Sequence, residues 1–415
     1  MTCAEESAAL RAPARDAPRI APLVGGASRE LILHRLGPEQ YFAIGRVDDV
    51  DALARLWTAF EPEADATPFT AWSWIGNWIR ELPNTAQLHL ALVQDRGAIV
   101  AIGLLWFNPC RRRMLRLNRL HLHECGIPEI DCLCIECNGL LTRGGVRSEA
   151  TAALLRGLLE HPGVPRWDEL VLPGFDEPAP VRMLAADLRL AVDERLMPSY
   201  FVDLAALRAS GKSYLEALCS KTRRKIKAAM RDYEQRYGRL ECELSRDPDE
   251  AGLFMAELMA LHQANWTAKG QPGAFANPRF VEFHRRFIQA QHERGGVRVA
   301  RVRAGEQVVG LLYFLIRDGV VAFYQSGYRF GLLDRHEIPG LVAIAAAIEQ
   351  LREQGFMSFE FLAGKQQYKS ELGLGCRERS WLVLQRPRIA LRIERTAREW
   401  RRRVLARWRR NAAAA

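Results

Sequence analysis

The chain has 415 residues, 48% of them hydrophobic and 26% charged, a balance that excludes a disordered polyelectrolyte and exceeds what one ordinary core buries, so two domains are expected. Its formal net charge of +10 comes mainly from arginine, 52 residues against 7 lysines, and admits an anionic ligand or surface without demanding one. Nine cysteines, odd in number and unevenly scattered, fit reduced thiols better than a disulfide framework, and no apolar run approaches the roughly 20 residues of a membrane span, so a cytoplasmic protein is expected.

Residues 1–28 read as a disordered leader, because Pro13, Pro18, Pro22 and the Gly25-Gly26 pair break any periodicity. In residues 29–204 an Asp-capped helix over Asp48–Phe60 sets Val50, Leu53, Ala54, Trp57 and Phe60 at helical spacing, and a second helix follows over Thr70–Leu82. Leu88–Val93 and Ala98–Phe107 flank Asp95-Arg96-Gly97 as a β-hairpin. Strands over Met114–Leu122 and Asp131–Cys137, a helix over Ser148–Glu160 and a strand over Glu169–Leu172 that leaves through Pro173-Gly174 complete this half. A strand over Tyr200–Leu204 and one long connecting helix over Lys212–Tyr237 follow.

Residues 205–387 repeat the plan. Helices over Pro248–Lys269 and Pro278–Glu293 precede a hairpin of Val297–Val302 and Val308–Ile316, then come a strand through Tyr324, a helix over Pro339–Gln354 and a strand over Ser358–Leu362 that ends at Gly364. Gly310-Leu311-Leu312-Tyr313-Phe314 matches Gly103-Leu104-Leu105-Trp106-Phe107, so the chain reads as a duplication. In residues 388–415, Ile389, Ile393, Ala397, Trp400, Val404 and Trp408 step at helical spacing through Arg-rich sequence as an amphipathic helix. Its apolar stripe is expected to dock on the protein's own core, with weak contact to an anionic membrane surface at the inner face as the other outcome.

Leu261-His262-Gln263-Ala264-Asn265-Trp266, Phe323-Tyr324-Gln325-Ser326-Gly327-Tyr328, Ile338-Pro339-Gly340 and Phe361-Leu362-Ala363-Gly364-Lys365-Gln366-Gln367-Tyr368-Lys369 carry a family likeness. In their order and spacing the chain resembles the CelD-like branch of the GNAT acyltransferases, associated with bacterial cellulose production and similar in turn to the Fem peptidyltransferases. The resemblance implies an α/β fold of tandem GNAT-like domains, with mixed, strongly twisted sheets and helices on both sheet faces. It implies transfer of an acyl group, acetyl above all, from a thioester carrier to an amine acceptor, either a small molecule or a component of cell-envelope or exopolysaccharide metabolism. The first half is then a scaffold and the second the acyltransferase. Acyl-CoA is the implied co-substrate and no tightly bound cofactor is expected. The chain departs from the family at the phosphate loop, since no Gln/Arg-x-x-Gly-x-Gly/Ala run precedes the helix at Pro339.

Direct acyl transfer needs a base for the amine, donors facing the oxyanion, a proton for the leaving group and a clamp for the anionic carrier. Gly340, Leu341 and Val342 open a helix whose N–H groups suit phosphate, and Ser326-Gly327 marks the end of a strand where the GNAT likeness puts the pantetheine arm. Tyr368-Lys369 resembles the aromatic–Lys pair near the reaction centre of Fem enzymes, with Lys369 as a fixed cation. Glu360, on a strand with Phe359, Phe361 and Leu362, is the expected base, and Tyr324 the proton donor. His262, Trp266, Tyr328 and Gly364 are expected around the acceptor. His121, His123, Cys125, Cys132, Cys134 and Cys137 are ligand types that zinc prefers, but their spacing lacks the paired Cys-x2-Cys turns, so no metal site is expected. The alternatives are a Fem-type transfer from aminoacyl-tRNA, with the basic block Lys221-Thr222-Arg223-Arg224-Lys225 on the nucleic acid, or an inactive accessory to polysaccharide synthesis; no DNA partner is expected.

Overall fold

A computed structural model describes residues 26–28, 31–133, 135–161, 164–175, 178–397 and 400; most of the expected leader therefore lies outside the described residues. Fourteen strands form one mixed sheet. The first half contributes β1 (Ile32–Arg35), β2 (Gln40–Arg46), β3 (Leu88–Asp95), β4 (Ala98–Arg112), β5 (Leu115–Leu122), β6 (Leu141–Thr142) and β7 (Glu169–Phe175). Then come β8 (Ala191–Asp203), β9 (Leu240–Leu244), β10 (Val297–Ala304), β11 (Gln307–Arg317), β12 (Val320–Tyr328), β13 (Ser358–Ala363) and β14 (Gly375–Gln385). Their order is β1-β2-β3-β4-β5-β7-β14-β8-β13-β12-β11-β10-β9, with β6 beside β4. Both expected hairpins are present, but the two Gly-Leu-Leu segments are out of step by two residues: Gly103 lies five residues past Ala98, which pairs with Asp95 at the turn, and Gly310 three past Gln307, which pairs with Ala304.

The order from β2 to β7 mirrors the order from β9 to β13, and the last strand of each half is exchanged. β8 follows β7 in the chain but pairs antiparallel with β13; β14 follows β13 but pairs antiparallel with β7. β8 and β14 then pair with one another over eleven registered residues, from Ala191↔Gln385 to Phe201↔Gly375. A cut at residue 204 would part strands that share this sheet.

On one sheet face, α1 (Val50–Phe60) and α2 (Trp72–Ile79) from the first half meet α6 (Pro248–Thr267) and α7 (Pro278–Gln291) from the second. α1 starts where the Asp49 carboxylate accepts the N–H groups of Asp51 and Ala52 at 2.8 and 2.9 Å, and it buries Leu53, Leu56, Trp57 and Phe60. Trp74 of α2 packs edge-on against Phe283 and Phe287 of α7, ring centroids 4.8 and 5.5 Å apart, so this core is shared between the halves. The opposite face carries two separate cores, under α3 (Arg147–Glu160) and α4 (Pro178–Asp187) in the first half, and under α5 (Ser220–Tyr237) and α8 (Pro339–Glu353) in the second.

Three expectations are corrected. Among the described residues of Asp131–Cys137 there is no strand; a short helix Pro128–Asp131 leads into a turn there, because the Asp131 carboxylate closes a loop on the N–H groups of Cys125 and Gly126 at 2.9 and 2.7 Å. The connecting helix is broken at Leu218–Cys219, between a short helix Tyr214–Ala217 with a Ser213/Glu216 capping box and α5. The C-terminal helix does not dock by its apolar stripe: over residues 389–397 and at 400, Ile389, Ile393 and Trp400 are 81%, 65% and 68% exposed, and Leu391 and Glu394 face the body instead. Val404 and Trp408 lie outside the described residues.

Candidate active site

Each half contains one place where two parallel strands part. β5 and β7 pair over Arg119↔Glu169, Leu120↔Leu170 and His121↔Val171 and no further; β12 and β13 pair over Val320↔Ser358, Val321↔Phe359 and Ala322↔Glu360 and no further. In the first half the gap is filled by the chain itself. Asn138 donates its N–H to the Gly174 carbonyl at 3.1 Å and its side-chain amide to the Leu122 carbonyl at 2.9 Å. Its Oδ1 accepts from Gly139 at 2.8 Å and meets His123 Nδ1 at 2.9 Å, and Asn138 is buried. Gly174, at φ 61°, allows this plug, since a Cβ there would stand 2.8 Å from the Glu136 carbonyl.

In the second half the gap opens into a cleft of about 500 Å³, in the range of small-molecule sites. β12 supplies Tyr324, which the register with β11 skips: Tyr313 faces Gln325 and Phe314 faces Phe323. Such a bulge re-aims a side chain. The Tyr324 ring enters the aromatic cluster of Phe69, Trp74, Phe280 and His284, and its hydroxyl donates to the Leu133 carbonyl of the first half. α6 braces the part of β12 that has no β13 beside it. His262 Nδ1 donates to the Ser326 carbonyl at 2.9 Å and the Asn265 amide donates to the Tyr328 carbonyl at 2.8 Å. Burial lowers the His262 pKa, which keeps the ring neutral, with Nε2 accepting from the Ala274 N–H.

The opposite wall is β13 and the helix after it, α9 (Gln367–Leu372). β13 loses register with β8 between Glu360 and Ala363, and Leu362 sits at φ 61°. The buried Lys369 ammonium donates to the Ala363 and Leu362 carbonyls at 2.8 and 3.3 Å, which fixes a positive charge at the cleft wall. Glu136 arrives from the plug of the first half and accepts the Ala363 N–H at 3.0 Å; among the described residues that line the cleft it is the one carboxylate. Burial, with Glu136 adding to it, raises the Tyr368 hydroxyl pKa.

The cleft therefore gathers Tyr324, Ser326, Tyr328, His262, Trp266, Tyr368 and Lys369 of the expected residues. Glu360 is elsewhere. Its carboxylate pairs with Arg377 at 2.5 Å, and burial raises its pKa against the pull of that arginine. Gly327 is the contact point of β12 with α6, where a Cβ would lie 2.4 Å from the Leu258 carbonyl. Gly364 turns the chain at φ 153°, and a Cβ there would stand 2.0 Å from Gln366 Oε1. Gly340, Leu341 and Val342 do not line the cleft: the N–H groups of Leu341 and Val342 both donate to the Ile338 carbonyl, and the Tyr328 ring lies beside Gly340. Sequence reasoning missed Glu136, Asn265 and Lys269, whose ammonium lies 5.7 Å from the centre of the Trp266 ring. Asn265 stands inside a quoted motif; Glu136 carries no local signal at all.

The parted parallel strands define a GNAT-like fold in each half, and the cleft between them is open in the second half alone. Residues 220–370 match the acetyltransferase (GNAT) domain family. None of the curated proteins matches the sequence. Among solved structures, FemX shares this fold at a TM-score of 0.51 and 10% identity, covering 79% of this chain and 95% of its own. L-PGS from Bacillus licheniformis aligns at a TM-score of 0.47 and 10% identity, over 81% of this chain and 93% of its own. A tandem GNAT protein from the clavulanic acid biosynthesis pathway aligns at 0.42 and 14% identity, over 84% of this chain and 100% of its own.

Proposed function

We propose that this protein is an N-acyltransferase that moves an acyl group, acetyl in the simplest case, from a thioester carrier to an amine in the cleft between β12 and β13. The observation that carries the proposal is the asymmetry of the two gaps: one is plugged by Asn138, and the other is open and lined by Lys369, Tyr324 and Glu136. The acceptor nitrogen attacks the thioester carbonyl, the C–S bond breaks, and the thiolate leaves with the proton that Glu136 has taken from the amine, so the carboxylate is regenerated. Glu136 takes the proton of the amine, and the Lys369 charge favours the oxyanion that forms beside it. The match of residues 220–370 to the GNAT domain family supports this chemistry, and the CelD-like resemblance points to an acceptor in cell-envelope or exopolysaccharide metabolism.

The test is turnover and thermal stabilisation of the purified protein with a panel of acyl-CoA donors and amines. Glu136→Gln keeps an acceptor for the Ala363 N–H, so kcat is expected to fall by about 10²-fold at unchanged Tm. Donor-independent Tm and no turnover across the panel sink the proposal; full activity in Glu136→Gln removes that residue's role.

A second reading has its own observation. Lys221 and Arg224 stand exposed and Arg223 half-buried at the start of α5, and Lys225 reaches Glu371 of α9 at 3.9 Å, two residues from Lys369. That basic face suits an aminoacyl-tRNA donor. Steeply salt-dependent tRNA binding, with no thioester turnover, selects it.

A further inference from the structure

The C-terminal helix exposes the face that an amphipathic helix ordinarily buries. Ile389, Arg392, Ile393, Thr396, Ala397 and Trp400 all face solvent, at steps of three or four residues. The opposite side is fastened. Leu391 is buried, Glu394 pairs with Arg112 at 2.7 Å, and Arg388 donates to the Arg116 carbonyl at 2.9 Å and pairs with Asp168 at 3.1 Å. Arg112 in turn holds the buried Glu169 of β7 at 2.7 Å. These contacts fix which way the stripe points and set it beside the tip of the β4–β5 hairpin. That tip adds Met114, 90% exposed, between the exposed Arg113 and Arg116.

Two elements distant in sequence thus bring together four large apolar side chains, Met114, Ile389, Ile393 and Trp400, among arginines. From Arg388 to Arg410 the sequence holds ten arginines against two glutamates, and Trp408 continues the tryptophan spacing beyond the described residues. A partner protein with an apolar groove would not need so much charge, and a free polyanion would not need the isoleucines and tryptophan. An anionic bilayer surface needs both: aliphatic and indole groups enter the headgroup boundary while guanidinium groups meet lipid phosphates.

We propose that this helix and the adjoining hairpin tip are a docking surface for an anionic lipid membrane, on which the protein lies without crossing it. Among the described residues no helix is long and apolar enough to span a bilayer. The proposal is independent of the acyl-transfer reading.

The full-length protein should co-sediment with vesicles containing one quarter phosphatidylglycerol in phosphatidylcholine, much less with pure phosphatidylcholine, and salt should weaken the binding. The variant Ile389→Ser/Ile393→Ser/Trp400→Ser alters only exposed side chains, so Tm should hold while the apparent affinity falls by at least about tenfold. No binding to the anionic vesicles overturns the proposal. So does binding by the triple variant equal to the parent's, which would reduce the effect to charge alone. A concentration-dependent dimer that the triple variant dissolves, with no vesicle binding, would assign the face to a second copy of the chain and overturn it as well.

Discussion

Glu124 and Glu136, twelve residues apart, show how a carboxylate's surroundings decide its use. Glu124 lies beside Asp131 near the plugged gap, and burial, then that neighbouring carboxylate, pushes its pKa up to about 8. A carboxyl that holds its proton more tightly when folded costs stability as pH rises from the ordinary value of 4.5 towards 8, because the unfolded chain loses the proton first. Glu124→Gln removes that cost. Its Tm should match the parent's near pH 4 and exceed it by a few degrees at pH 8; a difference that does not change with pH contradicts the assignment. Glu136, by contrast, meets a backbone N–H and faces an open cleft, and there a carboxylate can exchange a proton with a substrate.

At the scale of elements, the same strand-to-strand gap has two fates. A parallel pair that parts leaves unpaired backbone groups, and these must find partners or water. The first half answers with a loop whose buried Asn138 bonds Leu122, Gly139 and His123, and the second answers with helix α6, whose His262 and Asn265 take the carbonyls of Ser326 and Tyr328. Asn138→Ala should therefore cost about 2–3 kcal/mol, read as a lower urea midpoint. The hairpins, the paired helices and the glycine exits were legible in the sequence, because alternation, helical spacing and turn residues each act within a dozen positions. The helix break at Leu218–Cys219 was not, since the Ser213/Glu216 capping box that sets the preceding turn lies inside a stretch of continuous helical character.

At the scale of the molecule, the exchange of β8 and β14 and the core shared by α1, α2, α6 and α7 make the halves one cooperative unit. Expressed alone, residues 1–204 would hold β8 without β13 and β14, and residues 205–415 would hold β13 and β14 without β8 and β7. Each fragment should be insoluble or unfolded by circular dichroism, and co-expression should recover a folded complex. Two independently stable fragments would contradict the reading of the exchange as structural. The intact chain should unfold in a single calorimetric transition.

The sequence by itself determined the repeat, the mixed α/β character and the neighbourhood of the cleft. Tyr324, Ser326, Tyr328, His262, Trp266, Tyr368 and Lys369 all stand in short segments whose order survives in the chain. Only the tertiary structure decided which gap is open, which carboxylate enters it and which way the C-terminal stripe faces. The physical reason is range. Caps, turns and side-chain periods are local, whereas the hydrogen bond that places Glu136 joins residues 227 positions apart, and the Arg112–Glu394 pair that orients the last helix joins residues 282 apart. No spacing in the sequence encodes either, because each depends on which strand fills the edge beside it once the whole sheet has assembled.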